Sequence, residues 1–123
     1  MSKNLFPDLK KRTIIHVDLN AFYPSCEVIR DNSLKGLPLI IIMSPEPIGE
    51  LTRGVIASCS YEARSYGLRA AMSYVQAKKL CPNGIFKRAD FDLYTSISSD
   101  VMNLLQQFTN KIEQASIDEA YLD

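Results

Sequence analysis

The sequence predicts an α/β fold of the α+β kind: an antiparallel-containing sheet covered by two helices, with a small mixed insert. Three observations predict it. The elements run strand, helix, strand, a small mixed insert, a long helix and two strands. The β-branched, apolar runs are strand-sized, the longest covering residues 39–43. Tyr94, Ile97, Val101, Leu104 and Phe108 recur at spacings of three and four, which places them on one apolar stripe of a helix.

Residues 13–17 read as a buried strand ending at Asp18. Asn20 is then the expected N-cap of a helix from Ala21 to about Arg30, with Pro24 tolerated in its first turn. Gly36 and Pro38 mark a turn before the strand at 39–43. Residues 44–53 hold Pro45, Pro47 and Gly49 and read as a loop, and 54–59 as a third strand. A short helix over 61–66 is stopped by Gly67. Ser73 and Gln76 form a capping box for a helix that runs to Leu80 and stops at Cys81-Pro82-Asn83-Gly84. A short strand is expected at 85–87, then the long helix with Asp90 as its cap. Residues 111–116 and 120–123 read as two strands joined by a tight turn at Ile117-Asp118-Glu119. The chain stops inside that last apolar strand, as a truncated piece would, and an unpaired sheet edge is expected near Ala120 to Asp123.

Composition narrows the class. The 123 residues suit one domain, or one domain with a small inserted lobe. A hydrophobic fraction of 46% with 23% charged residues is that of a soluble globular protein. No run approaches the ~18 apolar residues that cross a bilayer, so no membrane partner is expected. Residues 1–11 are polar and show no secretory signal. Cys26, Cys59 and Cys81 are widely spaced and share the chain with one histidine, which makes a poor zinc site. Reduced, mostly buried thiols in a cytoplasmic protein are the better reading. A net charge of +0 argues against a complete DNA-tracking machine, though not against a catalytic portion whose DNA-gripping parts lie elsewhere.

Three carboxylates carry the chemistry. Asp18 ends a strand where a helix begins, and Asp118 and Glu119 are neighbours in a hairpin turn. If the first strand pairs with that hairpin, all three converge at one sheet end. Hard divalent cations take such oxygen ligands, and two of them can stabilise the attacking and leaving oxygens of an in-line phosphoryl transfer. Taken alone, an Asp at a strand end is more often a helix cap, and an Asp-Glu turn is more often simply solvated.

The surrounding words change that weighting. H-V-D-L-N-A-F-Y from His16 to Tyr23, Y-E-A-R from Tyr61 to Arg64 and S-I-D-E-A-Y-L-D from Ser116 to Asp123 resemble the Y-family, translesion-type DNA polymerases of the DinB (polymerase IV) branch. A-K-K-L-C-P from Ala77 to Pro82 is similar to that family's fingers region, and the likeness runs from about Thr13 onward. The resemblance implies a partial ferredoxin-like palm from residues 1–29 and 91–123, an inserted fingers subdomain over 30–90, and thumb and little-finger domains absent from this chain. It places the ligands of two Mg²⁺ ions on Asp18, Asp118 and Glu119, with the Leu19 carbonyl as a further ligand. The steric gate beneath the incoming sugar falls on Tyr23. Triphosphate contacts fall on Ser58, Tyr61, Arg64 and the backbone N–H groups of Phe22 and Tyr23, and Ala57 falls near the nascent base pair.

Elementary chemistry is compatible with those roles. Tyr61 and Arg64 are three apart on a short helix and share a face. An Arg fork suits phosphate oxygens. Phe22 and Tyr23 lie where a helix N-terminus attracts phosphate. The plainer alternatives are a core aromatic at Tyr23, a solvated cation at Arg64 and a strand-edge hydroxyl at Ser58. His16 is read as structural. Ser58 stands where many relatives have Thr, and Asn20 where relatives often have an acid. A family lysine that contacts the triphosphate would lie beyond Asp123.

The implied reaction is template-directed: a primer 3′-hydroxyl attacks the α-phosphate of a dNTP and pyrophosphate leaves. Primer–template DNA and dNTP are the implied partners, and a sliding clamp would be met through a missing C-terminal segment. The 123 residues alone are expected not to polymerise. Two alternatives stay open: an inert nucleotide- or metal-binding module of the same fold, and a nucleotide cyclase-like enzyme, which the lack of a G-G-[DE]-[DE]-F stretch disfavours.

Overall fold

The computed structural model describes residues 13–49 and 52–123. The polar N-terminal stretch at 1–11 and part of the loop expected over 44–53, Glu50 and Leu51, lie outside the described residues. In chain order the elements are β1 (Ile15–Asp18), α1 (Phe22–Arg30), a 3₁₀ turn (Asn32–Leu34), β2 (Leu39–Met43), β3 (Val55–Cys59), α2 (Tyr61–Arg64), α3 (Tyr74–Leu80), β4 (Ile85–Arg88), α4 (Phe91–Leu105), β5 (Ile112–Ser116) and β6 (Glu119–Leu122). No described helix is long and apolar enough to cross a membrane. The described residues form two compact units: Ser98–Asp123 with the residues before Asn20, and Asn20–Ile97.

In the first unit the strand order is β1-β6-β5, antiparallel throughout. Side chains alternate across a strand, so the register decides which residues share a face. Ile15 pairs with Leu122, Val17 with Ala120, His16 with Tyr121 and Asp18 with Glu119. One face therefore carries Val17, Ala120 and Leu122, packed with Met102, Leu105 and Ile112. The opposite face carries His16, Asp18, Glu119 and Tyr121. The hairpin order corrects one expectation. β6 is the central strand, so among the described residues the unpaired edges belong to β1 and β5 and not to residues 120–123.

In the second unit β2 lies between β3, antiparallel, and β4, parallel. Leu39, Ile40, Ile41 and Ile42 are all essentially inaccessible. A strand paired on both sides and covered on both faces reads as a continuous apolar run, which is what residues 39–42 show. Ile40 and Ile42 pack with Ile56, Cys59, Ala63, Leu68, Met72, Ala77 and Cys81. Gly54 leads into β3 so closely against β2 that a Cβ there would lie 2.6 Å from the Met43 carbonyl oxygen.

Local capping follows the sequence reading at α3 and α4, adds an unexpected cap at α2, and departs from the reading at α1. The Ser60 hydroxyl caps α2 by accepting from Ala63 N, Ser73 caps α3 by accepting from Gln76 N, and Asp90 accepts from Leu93 N at the start of α4. Asn20, expected to cap α1, does not. The cap position is Ala21, at φ 46 and ψ 49 and without a side-chain cap bond. A non-glycine residue in that left-handed region is held there at a cost of roughly 1–2 kcal/mol. The apolar stripe of α4 is also displaced. Tyr94, Ser98 and Met102 are buried, whereas Leu104 and Phe108 are 54% and 78% exposed and Phe108 lies past the helix end.

All three cysteines are free and buried. Burial, with Glu27 beside it, pushes the Cys26 thiol up to about 11, and burial raises Cys59 as well. At pH 8 only about a thousandth of Cys26 would then be thiolate, the reactive form. A chromogenic disulfide reagent should therefore find almost no reactive thiol in the native chain at pH 8 and all three cysteines in denaturant. One rapidly labelled native cysteine would contradict this packing.

Candidate active site

The first unit brings its three acids to the same end of the sheet by backbone pairing. Asp18 stands directly opposite Glu119 in the β1–β6 register, and Leu19 N donates 3.0 Å to the Asp118 carbonyl oxygen. Asp118 and Glu119 also share a partner. The Ser116 hydroxyl lies 2.9 Å from Asp118 Oδ1 and 3.1 Å from Glu119 Oε1. A hydroxyl has one proton, so it donates to one carboxylate at a time while drawing both toward itself. Glu119 Oε2 is 3.1 Å from His16 Nε2, and the His16 ring stacks on Tyr121 at 4.7 Å. His16, read from sequence as structural, thus touches one of the three acids. Asp18 is solvent-facing, and the described side chains include no group of three or more His, Cys, Asp or Glu arranged to hold a metal ion. Asp118 and Glu119 are brought together as side chains; Asp18 joins them through the backbone ladder.

The second unit holds the other predicted residues. Phe22 and Tyr23 open α1, Phe22 buried and its ring 6.1 Å from that of Tyr23. Ser58 and Ala57 lie on β3 at a bulge. Ile41 pairs with Ser58 and Ile42 with Ile56, which leaves Ala57 as the extra residue. The bulge breaks the alternation, so Ile56 and Cys59 point into the core while Ala57 and Ser58 both stay partly accessible. Tyr61 and Arg64 share a face of α2, with the Arg64 guanidinium 4.8 Å from the Tyr61 ring centre. The positive charge of Arg64 also partly offsets the upward push of burial on the Cys59 thiol. Both Tyr61 and Arg64 are exposed.

Sequence reasoning missed the residues that hold the acid turn. Ser98, 2% exposed on α4, donates through its hydroxyl to the Ile117 carbonyl. The Gln114 amide donates to Ser98 Oγ at 3.3 Å and to the Ser116 carbonyl at 3.0 Å. The only sequence signal was a serine on the buried side of α4, four residues after Tyr94. Ser98→Ala should cost about 1 kcal/mol in chemical denaturation, because it leaves a partly buried carbonyl without this donor. A loss below a few tenths would show that the turn holds without it.

Residues 17–123 match the model of the impB/mucB/samB family. The chain is 47% identical over 112 residues to DNA polymerase IV of Lactococcus lactis subsp. cremoris, covering 91% of this chain and 30% of that protein. It is 43% identical over 121 residues to DNA polymerase IV of Bacillus anthracis, covering 98% of this chain and 28% of that one. Among solved structures, a Y-family DNA polymerase chimera superposes with a TM-score of 0.84 at 36% identity, over 89% of this chain and 31% of the other. DinB from Sulfolobus solfataricus superposes with a TM-score of 0.80 at 35% identity over the same shares. The chain thus spans about 30% of the length of the curated relatives it matches. With its fold, its motifs and these relatives in agreement, the chain belongs to the impB/mucB/samB family of Y-family, DinB-type DNA polymerases.

Proposed function

We propose that this chain carries part of the catalytic apparatus of a translesion-type DNA polymerase, which adds a dNTP to a primer 3′-hydroxyl opposite a template and releases pyrophosphate. The observation that carries the reading is the β1–β6 register, which sets Asp18 opposite Glu119 with Asp118 tied to Leu19, in a chain of this family. Residues 1–29 and 91–123 would serve as palm and 30–90 as fingers. A cytoplasmic location fits the reduced thiols.

The donor set fits Mg²⁺: hard carboxylate oxygens on Asp18, Asp118 and Glu119 and the Leu19 carbonyl, with no thiolate among them. The Ser116 hydroxyl already turns one oxygen of Asp118 and one of Glu119 toward a common point. Two such ions would neutralise triphosphate charge and stabilise the attacking and leaving oxygens. Everything else asked of the chain is positioning. Arg64, beside Tyr61, offers a planar fork to phosphate oxygens, and the Ser58 hydroxyl is kept accessible by the bulge. Phe22 and Tyr23 present backbone N–H groups at the start of α1, where the helix dipole favours an anion. The Tyr23 ring would close the space beside the sugar 2′-carbon. Primer–template DNA and dNTP are the proposed partners, with a sliding clamp bound through sequence outside this chain.

Two experiments test the reading in a protein that includes these residues. Asp118→Ala should lower primer extension with Mg²⁺ or Mn²⁺ by about 10²–10³-fold or more, as removal of a main stabiliser of transition-state charge does. Mn²⁺ binding followed by electron paramagnetic resonance should weaken in parallel; undiminished extension by the variant would sink the metal assignment. Tyr23→Ala should raise ribonucleotide incorporation by about tenfold or more, a shift of about 1.4 kcal/mol in selectivity. Unchanged discrimination in single-turnover assays would show that another residue selects the sugar.

A further inference from the structure

In the Asn20–Ile97 unit a fully buried carboxylate meets a fully buried tyrosine, with the partly exposed Arg30, Lys87 and Asp90 around them. Glu27 is wholly inaccessible, on the side of α1 that also carries Tyr23, four residues before it, and Arg30, three after. Its Oε2 accepts a 2.7 Å hydrogen bond from the Tyr94 hydroxyl, and its Oε1 accepts one of 2.6 Å from Arg30 Nη2. Lys87 Nζ stands 4.0 Å from the same Oε1. Arg30 reaches on through Nη1 to Asp90 Oδ2 at 2.6 Å, and Asp90 is the residue that caps α4.

Beyond the hydroxyl, the Tyr94 ring is fully buried and lies flat on Tyr23, with centroids 4.5 Å apart and planes 9° from parallel. Phe91 stands edge-on to both rings, at 5.7 Å from Tyr23 and 5.8 Å from Tyr94. Burial and the bond to Glu27 raise the Tyr94 hydroxyl above its ordinary range, so it stays a donor at any physiological pH.

A buried carboxylate is costly, and packing alone would be served as well by an apolar residue of similar size. The benefit here is geometric. A stacked ring pair can slide with little change in energy, because stacking is broad and only weakly directional. Anchoring the one polar atom of Tyr94 removes that freedom, and Phe91 blocks the remaining tilt. We infer that Glu27 is a positioning residue for Tyr23: by holding the Tyr94 hydroxyl it fixes the plane against which the Tyr23 ring rests. The consequence for sugar selection rests on the gate role proposed for Tyr23; the positioning does not.

The test separates the two. The 123-residue chain, labelled with 3-fluorotyrosine, gives a ¹⁹F signal for each of its six tyrosines, and Tyr23→Phe identifies that of Tyr23. In Tyr94→Phe, which keeps the ring and removes only the hydroxyl, the Tyr23 signal should shift by more than its linewidth or broaden. Glu27→Gln should move the Tyr23 signal in the same way, while those of Tyr61 and Tyr74 stay in place. Carried into a longer polymerase that includes these residues, both substitutions should lower the dNTP-over-rNTP preference by roughly threefold to tenfold, the size of effect one hydrogen bond carries. A Tyr23 signal unmoved in a folded Tyr94→Phe chain overturns the inference, whatever the activity. Unchanged sugar preference in Tyr23→Ala would count against the gate alone, so the two readings fail separately.

Discussion

The first unit depends on the register in which β1 meets β6. His16 and Glu119, in contact across that pair, are 103 positions apart in the chain. Closing so long a loop costs only slightly more than closing a short one, since the penalty grows with the logarithm of length. The register itself is far more strongly specified. A slip of one residue would turn Val17, Ala120 and Leu122 out to water and press His16, Asp18, Glu119 and Tyr121 onto α4. Burying unpaired carboxylates is costly, while the native arrangement keeps Ala120 fully buried and Leu122 nearly so. The apolar residues thereby decide where the acids stand. No attraction among the acids is required, and none exists between like charges.

The parts legible from sequence were those with local causes. The β2 run announced a buried strand, and Ser73 and Asp90 announced helix starts through hydrogen bonds made three residues away. What escaped had distant causes. Ala21 takes a positive φ although nothing in its own side chain favours it, so the preceding Asn20 looked like the natural cap. The β3 bulge is set by pairing with β2 and leaves no mark on residues 54–59. Leu104 and Phe108 kept the helical spacing yet lie exposed, because the stripe turned onto Ser98 and Met102.

The candidate site divides in the same way. Asp18, Asp118, Glu119, Tyr23, Tyr61 and Arg64 were singled out through motifs, whereas the residues packed and hydrogen-bonded around them were not. A glutamate in a helix is ordinarily read as solvated, so nothing flagged Glu27 as the most deeply buried charge in the described chain. Ser98 likewise looks like a surface residue until α4 and the hairpin are placed together, and the exposed Gln114 gives no sign in the sequence of its bond to it. Among the described residues, no buried side-chain nitrogen or oxygen lacks a hydrogen-bond partner. Two polar networks, one under Tyr23 and one behind the acid turn, are therefore complete, and complete networks stiffen what they hold.

The bulge at Ala57 separates two demands that a regular strand would bind together. In an even ladder every second side chain belongs to the core, and replacing one disturbs packing. Here Ile56 and Cys59 carry the core contacts, while the residue inserted between them has no ladder partner. Its side chain can change in size with little effect on folding free energy. A lineage can therefore adjust the surface at this point through many substitutions before stability limits it.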